Sequence, residues 1–337
     1  MSPQSKRPTL KTIAELTGLS LSTISLALRD GSNLKQETRD KVAEAARQVG
    51  YVPNRAGVRL RTGRTNVLAL VLSTDKNGLD FTKLLIQGIG NYINNTKYHL
   101  NVIPEFESND PVAAVRYILE NHSADGVILT HTSARDPRVQ LLMDANFPFV
   151  SHGRTEFYTP HAYHDFHAER YIELSTERLI QKGRRNILLA VADNSTTNYA
   201  NTIGSFKQVM AKTNAIGDIM TDADILDDSK KARAFCQTLA RREQPYDGII
   251  CNNELTSLAI INGLQDEGMV LGKDYDLICK QTTGILSILY PHLDTLAEDL
   301  FETGSELAKL LVERIEGAEI TDLQTLHEPI PRRRRTE

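Results

Sequence analysis

Residues 9–30, TLKTIAELTGLSLSTISLALRD, contain two short helical patterns separated by a glycine. The first pattern predicts a helix over residues 10–16, with Thr9 as its N-cap because the hydroxyl can accept from the free amides of the first turn. Gly18 is the predicted turn residue, since glycine adopts a positive φ at little cost. Ser20 caps a second predicted helix over residues 21–28. The two helices share an apolar face formed by Ile13, Ala14, Leu19, Ile24 and Leu28.

A third helix is predicted over residues 36–48, where apolar residues recur at helical spacing and Gly50 ends the pattern. Two short helices around a tight turn indicate a helix-turn-helix, whose second helix places its N-terminal residues against base edges in the major groove of DNA. The pattern also fits a small three-helix bundle without DNA. The predicted base-facing residues are Leu21, Ser22, Thr23, Ser25 and Leu26. The predicted phosphate contacts are Arg29, Lys35, Thr38 and Arg39.

Charge is distributed unevenly along the 337 residues. Residues 1–65 contain 12 Lys and Arg against 5 Asp and Glu, whereas the remainder contains 27 against 38. A basic head on an acidic body is expected when only the head binds a polyanion. The four arginines Arg332–Arg335 are expected to form a solvated tail.

Composition excludes several classes of protein. No apolar run is long enough to span a membrane, and the segment MSPQSKRPTL has no hydrophobic signal region, which predicts a cytoplasmic protein. Cys236, Cys251 and Cys279 are far apart without CxxC spacing, so we expect buried thiols and neither disulfides nor a metal site.

From Asn66 onward, strand patterns alternate with helix patterns. Two successive βαβ sets predict two doubly wound lobes, whose ligand binds beyond the carboxyl ends of the strands. The predicted strands of the first set are 67–72, 99–103, 126–129 and 149–151, with helices 81–94, 111–121 and 137–146. The second set has strands 186–192, 224–226, 248–251 and 276–279, with helices 170–182, 199–211, 230–242 and 254–267.

Polar side chains follow these predicted strands, and Phe81 lies just beyond the first. Amide, carboxylate and guanidinium groups can bond pairs of neighbouring hydroxyls, and Phe81 could pack on the apolar face of a sugar ring. Each position also fits a solvated loop or a helix cap, Asn253 above all. The candidates are Asp75, Asn77, Thr130, His131, Arg154, Asp193, Asn198, Asn252, Asn253 and Gln281.

Other chemistry is not favoured by the motifs. His161, His164 and His167 recur every three residues, but no fourth ligand follows nearby, so a polar loop between the lobes is preferred to a metal site. Gly-x-Ser-x-Gly and Gly-x-x-x-x-Gly-Lys-Ser/Thr do not occur in the sequence. We therefore expect no enzyme and no cofactor.

The segment TIAELTGLSLSTISLALRDGSNLKQETRDKVAEAARQVGYVPNRAG, residues 12–57, resembles the N-terminus of the LacI/GalR family of bacterial regulators. Landmarks at Pro148–Val150, Gly153–Arg154, Asp165, Cys251–Glu254 and Pro291–Leu296 extend the resemblance over nearly the full length. It implies an α/β protein with an N-terminal all-α helix-turn-helix head and a two-lobed periplasmic-binding-protein-like body of doubly wound parallel sheets. The implied domains are a DNA-binding head at 1–50, a hinge at 51–65, a ligand-binding and dimerisation body at 66–330 and a basic tail at 331–337.

The resemblance further implies a hinge helix that orders on operator DNA and wedges Leu60 into the minor groove. Gly57 inside this helix costs about 1 kcal/mol, so we expect the hinge to order only on DNA. Asn54, Arg55, Arg59 and Arg61 would supply donors beside the wedge. Thr9 and Gly57 complete the implied DNA-binding set.

Four positions depart from the family pattern. Leu26 stands where Arg is common, which changes the base read there, and Lys35 replaces a usual Ser cap. Thr202 replaces a ligand-gripping Arg, and Gln281 replaces a ligand-binding Asp. With both charged groups gone, we expect a neutral, polyhydroxylated effector such as a mono- or oligosaccharide.

The resulting prediction is a repressor of carbohydrate uptake or catabolism genes that a sugar releases from double-stranded operator DNA. A homodimer is expected, because a palindromic operator needs at least a dimer and the sequence has no C-terminal Leu heptads of the kind that make some relatives tetramers. The alternative is a regulator that needs a non-sugar ligand to bind DNA. A transport sugar-binding protein or a sugar-processing enzyme fits less well, given the basic head and the missing catalytic motifs.

Overall fold

A computed structural model describes residues 8–28, 33–52, 57, 59, 62–73, 81–105, 110–193 and 195–332. The chain divides into two compact units, Met1–Thr65 and Asn66–Glu337. The predicted residues Arg29, Asn54, Arg55, Leu60, Arg61, Asp75 and Asn77 lie outside the described residues.

Among the described residues of the N-terminal unit are the helices α1 (Leu10–Thr17), α2 (Leu21–Ala27) and α3 (Gln36–Gln48). The predicted helices and caps are confirmed: Gly18 ends α1 with φ 70°, and Ser20 Oγ accepts from the Thr23 amide at 3.1 Å. At the start of α1 the Thr9 amide donates to Thr12 Oγ1 at 3.1 Å. The fully buried side chains Ile13, Ile24 and Val42, with Ala45 and Ala46, form a separate core.

The body has two lobes, each built on a six-stranded sheet. Lobe 1 has the strand order β11-β5-β4-β3-β1-β2 and is parallel throughout. Its elements are β1 (Val67–Ser73), α4 (Phe81–Ile93), β2 (His99–Glu105), α5 (Ala113–Asn121), β3 (Gly126–Leu129), α6 (Pro137–Asp144), β4 (Phe149–His152), β5 (Tyr163–Phe166), α13 (Leu300–Glu316) and β11 (Gln324–His327).

Lobe 2 has the strand order β12-β10-β9-β8-β6-β7, in which β12 alone is antiparallel to its neighbour. Its elements are α7 (Ala168–Gln181), β6 (Asn186–Ala190), α8 (Thr197–Met210), β7 (Ile216–Met220), α9 (Ala223–Leu226), α10 (Ser229–Ala240), β8 (Gly248–Cys251), α11 (Glu254–Asp266), β9 (Asp276–Gln281), α12 (Ile285–Leu289), β10 (Thr295–Ala297) and β12 (Ile330–Arg332). The predicted doubly wound fold is therefore confirmed.

One predicted element is wrong. Residues 224–226 form part of the short helix α9 and not a strand, because the Asp222 side chain caps the turn by accepting from the Ile225 amide at 3.3 Å. The edge strand of lobe 2 is β7, which precedes this helix and has mostly exposed side chains. Without an apolar run, its sequence does not look like a buried strand.

The two lobes are not successive segments, in contrast to the prediction. The chain enters lobe 2 after β5, returns to lobe 1 after β10 to add α13 and β11, and enters lobe 2 again with β12. Pro331 and Arg332 pair with Leu296 and Thr295 in this last strand. The predicted tail boundary at residue 331 is corrected accordingly, since these two residues belong to the sheet.

The three crossovers between the lobes are bonded to one another through His327. The His167 amide donates to the His327 carbonyl at 3.0 Å, and the Asp299 amide donates to His327 Nε2 at 3.1 Å. His167 Nδ1 also lies 2.6 Å from Glu328 Oε1. These bonds define an interlobe hinge at which the lobes meet, which is distinct from the hinge segment 51–65.

No helix within the described ranges is long and apolar enough to cross a membrane.

Candidate DNA-binding and effector sites

The N-terminal turn of α2 presents the predicted base-facing side chains. Leu21 and Leu26 are exposed despite being apolar, at 51% and 37% of their area, and Ser22 is exposed as well. Thr23 and Ser25 are half-buried. The cap Ser20 also lies 2.7 Å from Ser22 Oγ and 2.9 Å from Thr23 Oγ1, which orders this turn. Exposed leucines beside hydroxyls can contact thymine methyl groups and polar base edges.

The start of α3 presents the predicted phosphate contacts. Lys35 is the exposed N-cap and makes no side-chain capping bond, so the positive dipole end of this helix is open to an anion such as a phosphate. Thr38 and Arg39 follow in the first turn and are half-buried, with Arg39 donating to Gln36 Oε1 at 2.7 Å. Thr9 is exposed before α1.

In the hinge segment, Gly57 and Arg59 have helical backbone and are exposed. The Gly63 amide donates to the Arg59 carbonyl at 2.8 Å, and Gly63 has φ 70°. Nothing lies within 4 Å of the position that a Cβ at Gly57 would occupy.

A cavity of about 320 Å³ lies between the lobes, at the carboxyl ends of both sheets. Its position agrees with the general rule for open α/β sheets. The lining residues include the predicted Phe81, His131, Asn198, Asn252 and Asn253, together with Thr132, His152, Asp165, Phe166, Thr196, Asp227, Glu254, Lys280, Thr282, Thr283 and Glu298.

Three rings lie together on the lobe 1 wall of the cavity. The Phe81 ring centroid lies 5.3 Å from that of His131 and 5.5 Å from that of His152. His131 has φ 54°, an uncommon conformation for a residue with a side chain. The His131 and His152 rings are tilted by 54° and 41° against that of Phe81, so this wall offers aromatic faces and edges to a ligand.

Buried Arg138 holds the strained turn at His131. Its guanidinium donates to the carbonyls of Thr130 and His131, both at 3.1 Å, and to the carboxylates of Asp136 at 2.7 Å and Glu105 at 2.6 Å. Burial alone would lower the pKa of Arg138, but the two carboxylates outweigh it and raise the pKa. A permanently charged fork therefore fixes the backbone that positions the His131 ring.

The lobe 2 wall contains three asparagines with different roles. Asn253 Oδ1 caps α11, accepting from the amides of Leu255 at 2.8 Å and Thr256 at 3.2 Å, so the interpretation as a cap is confirmed. Asn198 Nδ2 donates to the Phe166 carbonyl at 3.4 Å, and Asn252 lines the cavity. Beside them the Thr197 amide of lobe 2 donates to the Thr132 carbonyl of lobe 1 at 3.1 Å, which joins the lobes directly.

Four predicted ligand contacts do not line the cavity, because protein groups already occupy their polar atoms. Thr130 is fully buried with its hydroxyl 3.4 Å from the Val71 carbonyl, and Thr202 donates to the Asn198 carbonyl at 2.8 Å. Arg154 is paired with Asp165 at 2.7 Å and Glu169 at 2.9 Å. Gln281 is buried and accepts from Thr295 Oγ1 at 2.8 Å and Ser287 Oγ at 3.1 Å.

Asp193 does not line the cavity either. Its Oδ1 accepts from the Ser195 amide at 2.9 Å, which closes the loop before α8.

Sequence reasoning missed the charged groups of the cavity. Glu298, at the crossover after β10, is buried, and its carboxylate lies 2.9 Å from Lys280 Nζ and 3.3 Å from His152 Nε2. Burial alone would raise the pKa of Glu298, but Lys280 and His152 outweigh it and hold the pKa far below the usual range. Because β10 was not predicted, nothing in the sequence marked Glu298 as a residue at the end of a strand.

A second carboxylate, Glu254, is held by the loop after β9. Its oxygens accept from the amides of Thr282 at 3.2 Å and Thr283 at 2.9 Å, and from both hydroxyls at 3.1 and 3.0 Å. The expectation that charged groups have left this site is thus corrected: the changes at Thr202 and Gln281 leave a cavity lined by other ionised residues.

The three predicted histidines have separate partners. His161 Nε2 lies 2.8 Å from Thr155 Oγ1, and His164 Nδ1 lies 2.8 Å from Thr325 Oγ1. His167 bonds Glu328 in the interlobe hinge. Within the described residues no group of three His, Cys, Asp or Glu side chains could hold a metal ion.

The three cysteines are free and buried. Burial raises the pKa of Cys236 and Cys251 to about 12, and that of Cys279 is raised as well. Buried thiols with such pKa values are unreactive at neutral pH.

Known proteins share both parts of this architecture. A family model described as bacterial regulatory proteins, lacI family, matches residues 9–54. A second, described as periplasmic binding proteins and sugar binding domain of LacI family, matches residues 65–324. The regulator AglR of Rhizobium meliloti is 28% identical over 315 residues, which cover 90% of this chain and 86% of AglR.

Solved structures share the fold over nearly the whole chain. The lac repressor dimer bound to operator and the anti-inducer ONPF has a TM-score of 0.80 at 18% identity, covering 97% of this chain and 98% of the repressor. The complex of the transcriptional regulator CelR with cellobiose has a TM-score of 0.69 at 22% identity, with 97% and 98% covered. Since the two family models together span most of its length, this chain belongs to the LacI family of bacterial regulatory proteins and is a DNA-binding transcriptional regulator, not an enzyme.

Proposed function

We propose that this chain is a cytoplasmic, dimeric repressor of carbohydrate uptake or catabolism genes, and that a neutral sugar releases it from its operator. The observation that carries the proposal is the cavity wall. The rings of Phe81, His131 and His152 suit the apolar face of a sugar ring, and the side chains of Asn198 and Asn252 lie on the lobe 2 side. At about 320 Å³ the cavity is at the small end for ligand sites. The CelR complex holds cellobiose in a protein of this fold.

The proposed mechanism couples this cavity to the head. A sugar that contacts both walls favours the closed arrangement of the lobes. Closure of both subunits then separates their two hinge segments (residues 51–65) on DNA. The sugar must bind the released state more tightly than the operator-bound state, because only a difference in affinity can shift the equilibrium. By the same linkage, operator DNA must weaken sugar binding by an equal factor.

The experiment has two arms. Operator fragments are first selected from genomic DNA, and their affinity is measured by fluorescence anisotropy with and without a panel of neutral sugars. We expect one sugar to weaken DNA binding, and calorimetry to show that the same sugar binds the protein without DNA. A ligand that strengthens DNA binding would instead support the ligand-requiring alternative. Tight binding of a purine, or of a sugar phosphate alone, contradicts a neutral sugar effector.

The dimer is proposed on the surface of α12. Ile288 and Leu289 are 77% and 55% exposed, and Ile285, one turn earlier on the same helix, is exposed as well. A cluster of large exposed apolar side chains marks an association surface. The lac repressor of the same fold is a dimer on its operator.

Light scattering tests this surface. We expect the wild type to have the mass of a dimer, and Leu289→Asp, which places a charge in the apolar cluster, to have the mass of a monomer. Val270→Asp is the matched control, since Val270 is 49% exposed beyond the end of α11. A dimer that survives Leu289→Asp, or a stable wild-type tetramer, contradicts the proposal.

A further inference from the structure

Three ionisable side chains form a bridge between the lobes at the cavity. His152 ends β4 in lobe 1, Lys280 lies in β9 in lobe 2, and Glu298 lies at the crossover between them. The carboxylate of Glu298 contacts both others, at 3.3 Å to His152 Nε2 and 2.9 Å to Lys280 Nζ. The side chain of Glu298 is 1% exposed, whereas His152 and Lys280 retain 14% and 18%. The two outer members are therefore the ones that a ligand can reach.

Each outer member keeps one hydrogen-bonding position for a ligand. An ammonium has three N–H donors; Lys280 uses one for Glu298, and its Nζ lies 4.8 Å from the Phe166 ring centroid. One donor remains. An ionised carboxylate only accepts, so His152 must carry a proton on Nε2, which leaves the Nδ1 position for a ligand. The pair therefore offers two hydrogen-bonding positions, which two neighbouring sugar hydroxyls can fill.

The charges around the cavity disfavour an anion. Among the described lining residues Lys280 is the single Lys or Arg, and it is paired with Glu298. The carboxylates of Asp165, Asp227 and Glu254 also line the cavity. A phosphate or carboxylate group would meet acidic side chains and an ammonium that is already neutralised.

We propose that Glu298 is the specificity-determining residue of this cavity: by neutralising Lys280 it restricts the effector to uncharged sugars and excludes phosphorylated and carboxylated ones. The choice of sugars as the ligand class rests on the proposed function. The exclusion of anions rests on the ion pair itself and can be tested apart from the effector.

Glu298→Gln is the decisive variant, because it keeps the shape of the side chain and leaves Lys280 as an unpaired cation in the cavity. Binding is measured by calorimetry with inorganic phosphate, glucose 6-phosphate, cellobionate and their neutral counterparts glucose and cellobiose. We expect the variant to bind at least one anion about tenfold or more tightly than the wild type does, and any neutral sugar that the wild type binds to lose about tenfold in affinity.

Two further variants identify the group responsible. Glu243→Gln changes the net charge equally at an exposed loop and should gain no anion binding. The double variant Lys280→Gln, Glu298→Gln removes both charges and should again reject anions, and it also tests the proposal if Glu298→Gln alone does not fold.

The outcomes separate the two proposals. If the wild type binds no neutral sugar but Glu298→Gln gains anion binding, the sugar effector is contradicted, whereas the exclusion of anions by the Glu298–Lys280 pair is supported. If Glu298→Gln folds, as shown by thermal unfolding, but gains no affinity for any anion, the exclusion of anions by this pair is overturned. It is also overturned if the wild type binds glucose 6-phosphate or cellobionate as tightly as its neutral counterpart.

Discussion

Lys35 is the N-cap residue of α3, yet its side chain makes no hydrogen bond to the first turn. Lys35→Ser should stabilise α3 by about 1 kcal/mol, because a serine hydroxyl can accept from the free amides. Lys35→Ala loses the same charge without gaining a cap. Hydrogen exchange should show slower exchange of the α3 amides for Ser than for Ala, while both variants bind DNA more weakly than the wild type. Equal exchange in the two would contradict this account of the cap.

His164 is the second residue with a measurable consequence. Burial, with smaller contributions from His152 and His327, lowers its pKa from 6.5 to about 3. The unfolded chain therefore binds a proton between these pH values that the folded chain does not, so stability is complete above about pH 6.5 and is lost as the pH falls. His164→Asn, which can still bond Thr325, removes the effect.

Denaturant unfolding between pH 6.5 and 4 should test this. The wild type should lose stability more steeply than His164→Asn, by up to about 1.4 kcal/mol per pH unit. Because the carboxylates titrate in both proteins, their contribution cancels in the difference between the two pH profiles of the unfolding free energy. Parallel pH profiles would show that His164 is protonated in the folded state.

The roles of residues in the head could be predicted from the sequence, but the roles of residues around the cavity could be predicted only partly. Caps such as Ser20 and turn glycines such as Gly18 depend on neighbours within four residues. Gln281, in contrast, is withdrawn from the cavity by Thr295, and Arg154 by Asp165. Those partners come from strands that the sequence did not reveal, so a polar residue after a strand could not be assigned to ligand or to protein.

Among the elements, α4 and α13 meet at a pair of glycines. A Cβ at Gly88 would lie 2.0 Å from the Phe301 carbonyl oxygen, and one at Gly304 would lie 2.2 Å from that of Leu85. Backbone atoms cannot move aside as a side chain can, so Gly88→Ala should force the helices apart and destabilise the protein by about 1–3 kcal/mol or more.

Gly90 provides the matched control on the same helix, since nothing lies within 4 Å of its would-be Cβ. Gly90→Ala should be neutral or stabilise by up to about 1 kcal/mol, because alanine restricts the unfolded chain. Thermal unfolding should therefore shift in opposite directions for the two variants. Shifts of the same sign and size would contradict a close helix contact.

Element types were mostly predictable, and element partners were not. α13 was not predicted, although its capping Asp299 and its final Gly317, with φ 98°, are signals that are visible in the sequence. That α13 packs in lobe 1 is a matter of chain path, which no local pattern encodes. The edge strand β7 was missed for a different reason: exposed on its outer edge, it has no apolar run to distinguish it from a loop.

At the scale of the whole molecule, the lobes depend unequally on the C-terminal segment. One of the two lobe 1 cores includes Leu307, Ala308, Leu310, Leu311, Val312, Ile315 and Leu323, whereas the other lobe 1 core and the two lobe 2 cores contain no described residue beyond Leu296. A chain that stops after residue 299 should therefore lose one of the two cores that flank the lobe 1 sheet and keep both cores of lobe 2. Hydrogen exchange should show unprotected amides in β1 and β3 and protected ones in β6, β8 and β9.

A chain that stops after residue 332 retains every element described and should protect both lobes. Equal protection of β1 and β8 in the chain that ends at residue 299 would mean that lobe 1 folds without α13. Equal loss in both strands would mean that the lobes fold as one cooperative unit.

The return of the chain to lobe 1 also bears on its synthesis. A ribosome delivers residues from the N-terminus, and domains made early usually fold first. Here β1 to β5 emerge early but must wait, with apolar faces uncovered, until α13 and β11 leave the exit tunnel. Lobe 2, translated later, can close its cores sooner. We therefore expect the nascent chain to close the cores of its second lobe before the α13-dependent core of its first, with the early strands partly uncovered in the meantime.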